Sequence, residues 1–304
     1  NYLNLDSFGH QWGWKRSGKT RDWSKLVIRQ AKNKQIFCKQ LSGNNLWKSS
    51  ELDGIITELS QDEPEEVNST FHVSIFNNHA NSWHPPTLWI GIGCERNTSK
   101  ELIEKSLNNF LESNNLSRLS IAGFATIDLK KDEKGIIELA KDNNFPIKFF
   151  SIKNLSKINV PNPSNIVLNE IGTPSVAEAA CLLAAGEGSK LLNEKRIFKN
   201  INFSSNENGA VTFAIAESKN QYYPSNGEIH VVGSGPGDIS FLTNNARKAL
   251  SKCSVWIGYK MYLDLIKPLK RKDQVFIESN LTEEKDRCEK AIKLAEEGIK
   301  VALI

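Results

Sequence analysis

Apolar positions along this chain fall into short continuous runs and into longer stripes spaced by three and four residues. The runs read as buried strands and the stripes as helices packed on them. Leu88-Trp89-Ile90-Gly91-Ile92-Gly93 is a run of the first kind. Ser99 then opens a helix with Leu102, Ile103, Leu107, Phe110 and Leu111 on one face. A strand at 119–125, a helix at 133–142 and a strand at 147–150 continue the alternation. Thr173-Pro174-Ser175 opens an Ala-rich helix through Ala185, and 189–217 reads as two or three strands, the last at 210–216. Such alternation predicts an α/β domain over 87–218 with an open, mostly parallel sheet.

A second alternation begins at Glu228. A strand at 229–232 runs into a Gly-rich turn, then come a helix at 241–250, a strand at 255–257, a helix at 282–297 and a strand at 300–304. The stretch 219–227, containing Gln221-Tyr222-Tyr223-Pro224, reads as a linker. Before residue 87 the pattern is looser. Asp22 caps a helix carrying Trp23, Leu26, Val27 and Ile28, and strands are expected at 35–41, 54–59 and 71–76. His84-Pro85-Pro86 stiffens the passage into the next domain. The fold class is therefore α/β and multidomain: a small α/β region at 1–86, the domain at 87–218, and a partial α/β domain at 228–304.

Charge sharpens this division. Residues 1–50 carry ten basic and two acidic side chains, whereas 51–82 carry seven acidic and none basic. Two readings stand: a nucleic-acid patch followed by an acidic tail, or two blocks that neutralise each other within one small domain. The net charge of +4 over 304 residues demands no polyanion, so neither a nucleic acid nor a membrane is expected as partner. No apolar run reaches the roughly 18 residues that a membrane-spanning helix needs. The five cysteines are scattered and never form C-x-x-C, which argues against a disulfide scaffold or zinc ribbon. A cytoplasmic location follows as the expectation, and no protein-bound metal is expected. The sole methionine is Met261, and the chain ends on the uncapped run Val301-Ala302-Leu303-Ile304. Both ends read as cuts through a longer chain.

Two constellations carry chemistry. The first is Gly233-Ser234-Gly235-Pro236-Gly237-Asp238, a strand-to-helix turn whose glycines let backbone approach a ligand. It lacks the third glycine of a dinucleotide fingerprint and the G-K-[ST] of a P-loop. With Leu242-Thr243, Ala246, Ala249, Leu250 and Val255-Trp256-Ile257-Gly258-Tyr259, it resembles the tetrapyrrole methylase family. Gly258 to Leu263, Arg287, Glu289 to Ala291 and Gly298 resemble its precorrin-3B C17-methyltransferase branch. The resemblance implies S-adenosyl-L-methionine as methyl donor, with Gly233, Gly235, Pro236 and Asp238 lining its cleft. Tyr259 stands where uroporphyrinogen-methylating relatives carry an acidic residue, so it is a catalytic candidate. The segment alone is expected to be incomplete for methyl transfer.

The second constellation is Gly91 to Ser99, G-I-G-C-E-R-N-T-S. A lone cysteine after a strand can be a packed small residue or a nucleophile, and both stay open. In order with G-F-A-T-I-D-L-K, V-P-N-P-S and G-T-P-S-V-A-E-A-A-C, it resembles the C-terminal domain of the cobalt-precorrin-5A hydrolase family, CbiG. Trp12, Trp14, Trp23 and His84-Pro85 resemble that family's middle region. The resemblance implies opening of a δ-lactone on a corrin-pathway tetrapyrrole, with release of acetaldehyde. Candidate substrate contacts are Cys94, Glu95, Arg96, Thr98, Thr126, Lys130, Glu170 and Ser175. Arg96, Asp128 and Glu178 are catalytic candidates, and each residue has an ordinary cap or surface pair as its alternative role. Arg96 could hold a substrate carboxylate bidentately. The whole reads as a bifunctional cobalamin-biosynthesis enzyme. The other reading makes 87–218 a non-catalytic carrier of corrinoid intermediates. A homodimer is admitted, the oligomeric state being open.

Overall fold

A computed structural model describes residues 5, 7–52, 55–60, 62–66, 68–199 and 209–304. Its contacts group into two units, one of 1–74, 78–85 and 221–304, the other of 75–77 and 86–220. The segments read separately as 1–86 and 228–304 therefore share one unit.

The N-terminal part contains β1 (Lys15–Ser17), α1 (Thr20–Ala31), β2 (Ile36–Gln40), β3 (Ile56–Glu58), β4 (Thr70–Val73) and β5 (Ser82–His84). They form a sheet in the order β1-β5-β4-β2-β3, parallel except for β1 against β5. Trp12, Trp14, Trp23 and Trp83 are all essentially buried with Phe8 and Phe71, several of them edge to face. The tryptophans thus build a core. The charge blocks pair with each other: Arg29 with Glu66 and Lys39 with Glu65, each at 2.9 Å, and Lys48 with Glu58. That is the neutralising arrangement.

The second unit holds β6 (Leu88–Cys94), α2 (Lys100–Ser113), β7 (Ile121–Ile127), α3 (Lys134–Asp142), β8 (Ile147–Phe150), α4 (Ile152–Leu155), α5 (Asn165–Ile171), α6 (Ala177–Ala185), β9 (Lys190–Lys199) and β10 (Ala210–Glu217). The sheet order is β8-β7-β6-β10-β9. Strands β8, β7 and β6 are parallel, β10 is antiparallel to β6, and β9 is antiparallel to β10. Every residue of β7 is buried, as its unbroken apolar run requires. Ser99 caps α2 by accepting from the Leu102 N–H. Gly91 is where α6 meets the sheet: a Cβ there would lie 1.8 Å from the Ala177 carbonyl oxygen. The Ala-rich face of α6 and the glycine together permit this approach.

The chain then adds β11 (Glu228–Val231), α7 (Asn244–Lys252), β12 (Val255–Tyr259), α8 (Lys260–Ile266), β13 (Val275–Ser279), α9 (Glu284–Glu296) and β14 (Lys300–Leu303) to the first unit. Their sheet, β11-β14-β12-β13, is wholly parallel. Val255, Ile257, Leu294 and Val301 belong to the same core cluster as the N-terminal tryptophans. Gln221 is buried and ties the segments together. It accepts from Trp14 Nε1 at 2.9 Å and donates to the carbonyls of Trp12 and Glu297, each at 2.6 Å. At Gln221 the expected linker is therefore an anchored part of the core.

Candidate functional site

In the second unit the candidates collect at the C-terminal ends of β6 and β7, where an open α/β sheet presents its loops to ligands. Arg96 donates to Asp132 Oδ1 and to the Leu129 carbonyl, each at 2.6 Å. Behind them sits Glu133, only 3% exposed. It accepts from the Asn97 N–H at 2.8 Å and from Lys130 Nζ at 3.3 Å, with Arg96 3.8 Å away. Asn97 has φ +60°, a left-handed conformation that asparagine tolerates. Glu133 and Asp132 thus fasten the loop after β6 to the turn after β7. Neither was marked as a site residue in the sequence, where 133 reads only as the start of a helix.

Within this frame the predicted residues differ in what they can do. Arg96 is 54% exposed, Glu95 is exposed and Asp128 is half-buried. Burial pushes the Cys94 thiol up to about 11, so it stays protonated near neutrality and is a poor nucleophile. Thr98 donates to the carbonyls of Glu95 (2.9 Å) and Ala210 (3.2 Å), and Thr126 to that of Ile92 (2.6 Å). Both threonines are buried, so they hold loop and strand in place. Residues 86–220 contain no histidine. A proton-transfer step there falls to a carboxylate or a lysine.

Glu178 organises a second cluster. It is fully buried, and Oε1 accepts from Asn162 Nδ2 at 3.0 Å and from the Lys195 N–H at 3.1 Å. Its Oε2 accepts from the Ser175 hydroxyl at 3.2 Å. Lys195 Nζ donates to the Asn162 carbonyl at 2.6 Å. The carboxylate thereby fixes the 173–176 turn, the 160–164 loop and β9 against the first turn of α6. The expected helix start at Thr173 is this turn instead, because Glu178 and Ser175 hold it out of helical form. Asn162 lies in the V-P-N-P-S string, which is the signal that could have marked it. Glu170 lies in α5, and its side chain falls outside the described residues.

In the first unit the turn at 233–238 leaves the C-terminal end of β11. Tyr259 ends β12 at the same edge of the parallel sheet. Gly235 (φ +72°) and Gly237 (φ +116°) adopt conformations that side chains disfavour. At Gly233 a Cβ would meet nothing within 4 Å, so packing does not require glycine there and the backbone stays open to approach. Pro236 is exposed. The Ser240 hydroxyl, and then the Ser240 N–H that donates to Asp238 Oδ1 at 2.7 Å, hold the Asp238 carboxyl below the usual range. Tyr259 is half-buried, its ring edge-on to Tyr262 with centroids 5.9 Å apart. An open glycine turn at a parallel sheet edge suits an extended polar cofactor.

Residues 88–216 match the family described as cobalamin synthesis G C-terminus. The chain is 33% identical over 114 residues to the cobalt-precorrin-5A hydrolase of Priestia megaterium, covering 38% of this chain and 30% of that protein. It is 41% identical over 78 residues to the cobalt-factor III methyltransferase of the same organism, covering 26% of this chain and 14% of that protein. Protein CobE of Sinorhizobium is 29% identical over 110 residues, 36% of this chain and 71% of CobE. The chain thus spans under a third of the hydrolase and a seventh of the methyltransferase it matches. One chain thus joins a region, 88–216, that matches the cobalamin synthesis G C-terminus to a region similar to the methyltransferases of cobalamin biosynthesis.

Proposed function

We propose that this chain is part of a bifunctional enzyme of cobalamin biosynthesis. Residues 88–216 contribute to hydrolysis of a cobalt-precorrin-5A lactone, with acetaldehyde release. The region from 228 contributes the donor side of a precorrin-3B C17-methyltransferase. The observation that carries the first reading is the family match over 88–216, whose loops converge at the β6 and β7 ends.

Arg96 is the residue for substrate recognition. Its partner Asp132 is 76% exposed, so solvent screens the pair and it contributes little. A carboxylate arm of the macrocycle can displace Asp132 from Nη1 at little cost, while Nη2 stays on the Leu129 carbonyl. Asp128, half-buried at the end of β7, is the base we assign for activating water. Glu178, fully buried with three donors on it, positions the 173–176 turn and does not reach substrate. On the methyltransferase side, bound S-adenosyl-L-methionine would supply an electrophilic methyl group. Gly233, Gly235, Pro236 and Asp238 would line its cleft, with Tyr259 at the neighbouring strand end. Alignment of donor and carbon nucleophile dominates such a transfer, so these residues act by placement.

Incubating the chain with cobalt-precorrin-5A, with acetaldehyde read by a coupled reductase, tests the hydrolase reading. Arg96→Ala should raise KM about tenfold, the value of one charge-assisted contact, and Asp128→Asn should remove turnover while binding persists. Visible-band shifts of the corrinoid without acetaldehyde would instead make the domain a binding module. For the donor side, Gly233→Val, made in a protein that carries the whole methyltransferase region, should leave thermal stability unchanged and abolish S-adenosyl-L-methionine retention in equilibrium dialysis.

A further inference from the structure

A cluster outside both sites lies in the N-terminal sheet. His72 sits on β4 between Phe71 and Val73, 6% exposed. The short connection from β4 to β5 brings His79 over it, with the two imidazoles stacked at 3.6 Å and 8°. The polar segment before β4 brings Glu65, whose Oε2 lies 2.9 Å from His72 Nε2. One donor atom from each of the three residues lies within 4.8 Å of the others. Lys39 Nζ holds the other carboxylate oxygen, Oε1, at 2.9 Å. A second observation is independent of this grouping: His72 Nδ1 is buried with no hydrogen-bond partner. A buried polar atom without a partner is uncommon enough to need a reason.

We propose that Glu65, His72 and His79 form a three-ligand site for a divalent transition metal of the zinc class. Two imidazoles and one carboxylate are a donor set that zinc takes, with water as fourth ligand. Both histidines are held below the usual imidazole range, first by burial. Neutral imidazole is the form that binds metal, so few protons need displacing. Donor atoms about a tetrahedral zinc stand roughly 3.3 Å apart, so the group must contract by on the order of 1 Å. Imidazole lone pairs lie in the ring plane, so the parallel rings must also splay. His79, half-buried on its connection, is the one placed to turn. Lys39 stays on Oε1 and orients the carboxylate, as the outer partners of metal ligands commonly do. The metal would clip the segments on either side of β4 to it.

The test is titration of the tag-free, chelator-stripped full chain with Zn²⁺ against a chromophoric competitor. One equivalent should bind and raise the thermal midpoint. His79→Ala and Glu65→Gln should each weaken binding by at least about tenfold, the loss expected even for outer partners. Circular dichroism should show both variants folded. Cys288→Ser, which removes the exposed thiol, should leave the affinity unchanged. Absence of a stoichiometric site would overturn the proposal. So would binding that survives both ligand substitutions or disappears with Cys288.

Discussion

Glu178 shows what a single buried carboxylate controls. Three donors converge on it from α6's own preceding turn, from the 160–164 loop and from β9. Removing the acceptor leaves buried N–H and O–H groups unmatched, each at about 1–3 kcal/mol. Glu178→Ala should therefore destabilise the second unit by several kcal/mol in urea unfolding followed by far-ultraviolet circular dichroism. Glu178→Gln should cost much less. Its amide oxygen can keep Asn162 and Lys195, and its NH₂ can donate to the Ser175 oxygen. Equal losses in the two variants would mean that charge matters more than the hydrogen bonds. At this scale the sequence marked Glu178 and Ser175 through a motif, but not their partners. Asn162 and Lys195 are polar residues in ordinary contexts, and only folding brings them to the carboxylate. The cluster of Glu65, His72 and His79 was illegible for the same reason: fifteen residues hold it, with no metal-ligand spacing.

Elements were legible where burial imposed a long period. The stripe of α2 and the apolar runs of β6, β7 and β10 appear close to their expected bounds. Strands β1 and β5 were not, because neither lies in an apolar run as the equally short β3 does. Nor was α8, which begins directly from the end of β12 without a side-chain cap. The expected helix over 241–250 begins at Asn244 instead, since Thr243 caps it by accepting from the Ala246 N–H at 3.2 Å. Helix α6 depends on its contact with β6 more than on its own caps. A methyl group at position 91 collides with the Ala177 carbonyl, and backbone cannot yield as a side-chain tip would. Gly91→Ala should therefore lift α6 from the sheet at a cost of about 1–3 kcal/mol or more. Gly93→Ala, whose Cβ would meet neighbours only at 3.8–3.9 Å, is the matched control and should be nearly neutral. The urea midpoints of the two variants, measured side by side, decide this.

Over the whole molecule, one core joins residues from both ends of the sequence, which local patterns could not reveal. Composition placed the aromatics early in the chain and charge suggested neutralising blocks, but neither shows that Val255 and Val301 share a cluster with Trp14 and Trp83. This unit carries two buried titratable groups of opposite effect. His84 is fully buried, with Nδ1 2.8 Å from the Ser74 carbonyl and Nε2 2.7 Å from Ser17 Oγ. Its Nδ1–H must donate to the carbonyl, and burial favours the neutral ring, in which Nε2 accepts from the serine. Burial lowers it from 6.5 to about 4. The unfolded chain therefore binds its proton first, and stability present above 6.5 is lost as pH falls towards 4. Glu297 is buried too, and burial raises it from 4.5 to about 7. The folded chain then holds the extra proton, so stability present below 4.5 is lost as pH rises through 7. Between about pH 4.5 and 6.5 the two slopes oppose each other. Glu297→Gln should remove one and leave a unit that weakens steeply on acidification. His84→Gln should remove the other and leave a unit that gains stability from about pH 7 to 5, relative to the parent. Six of the seven tryptophans lie in this unit, so their fluorescence follows its unfolding with little contribution from the other. Urea midpoints at several pH values for the three proteins provide the measurement. Parallel pH profiles would show that neither group titrates differently in the folded and unfolded chain.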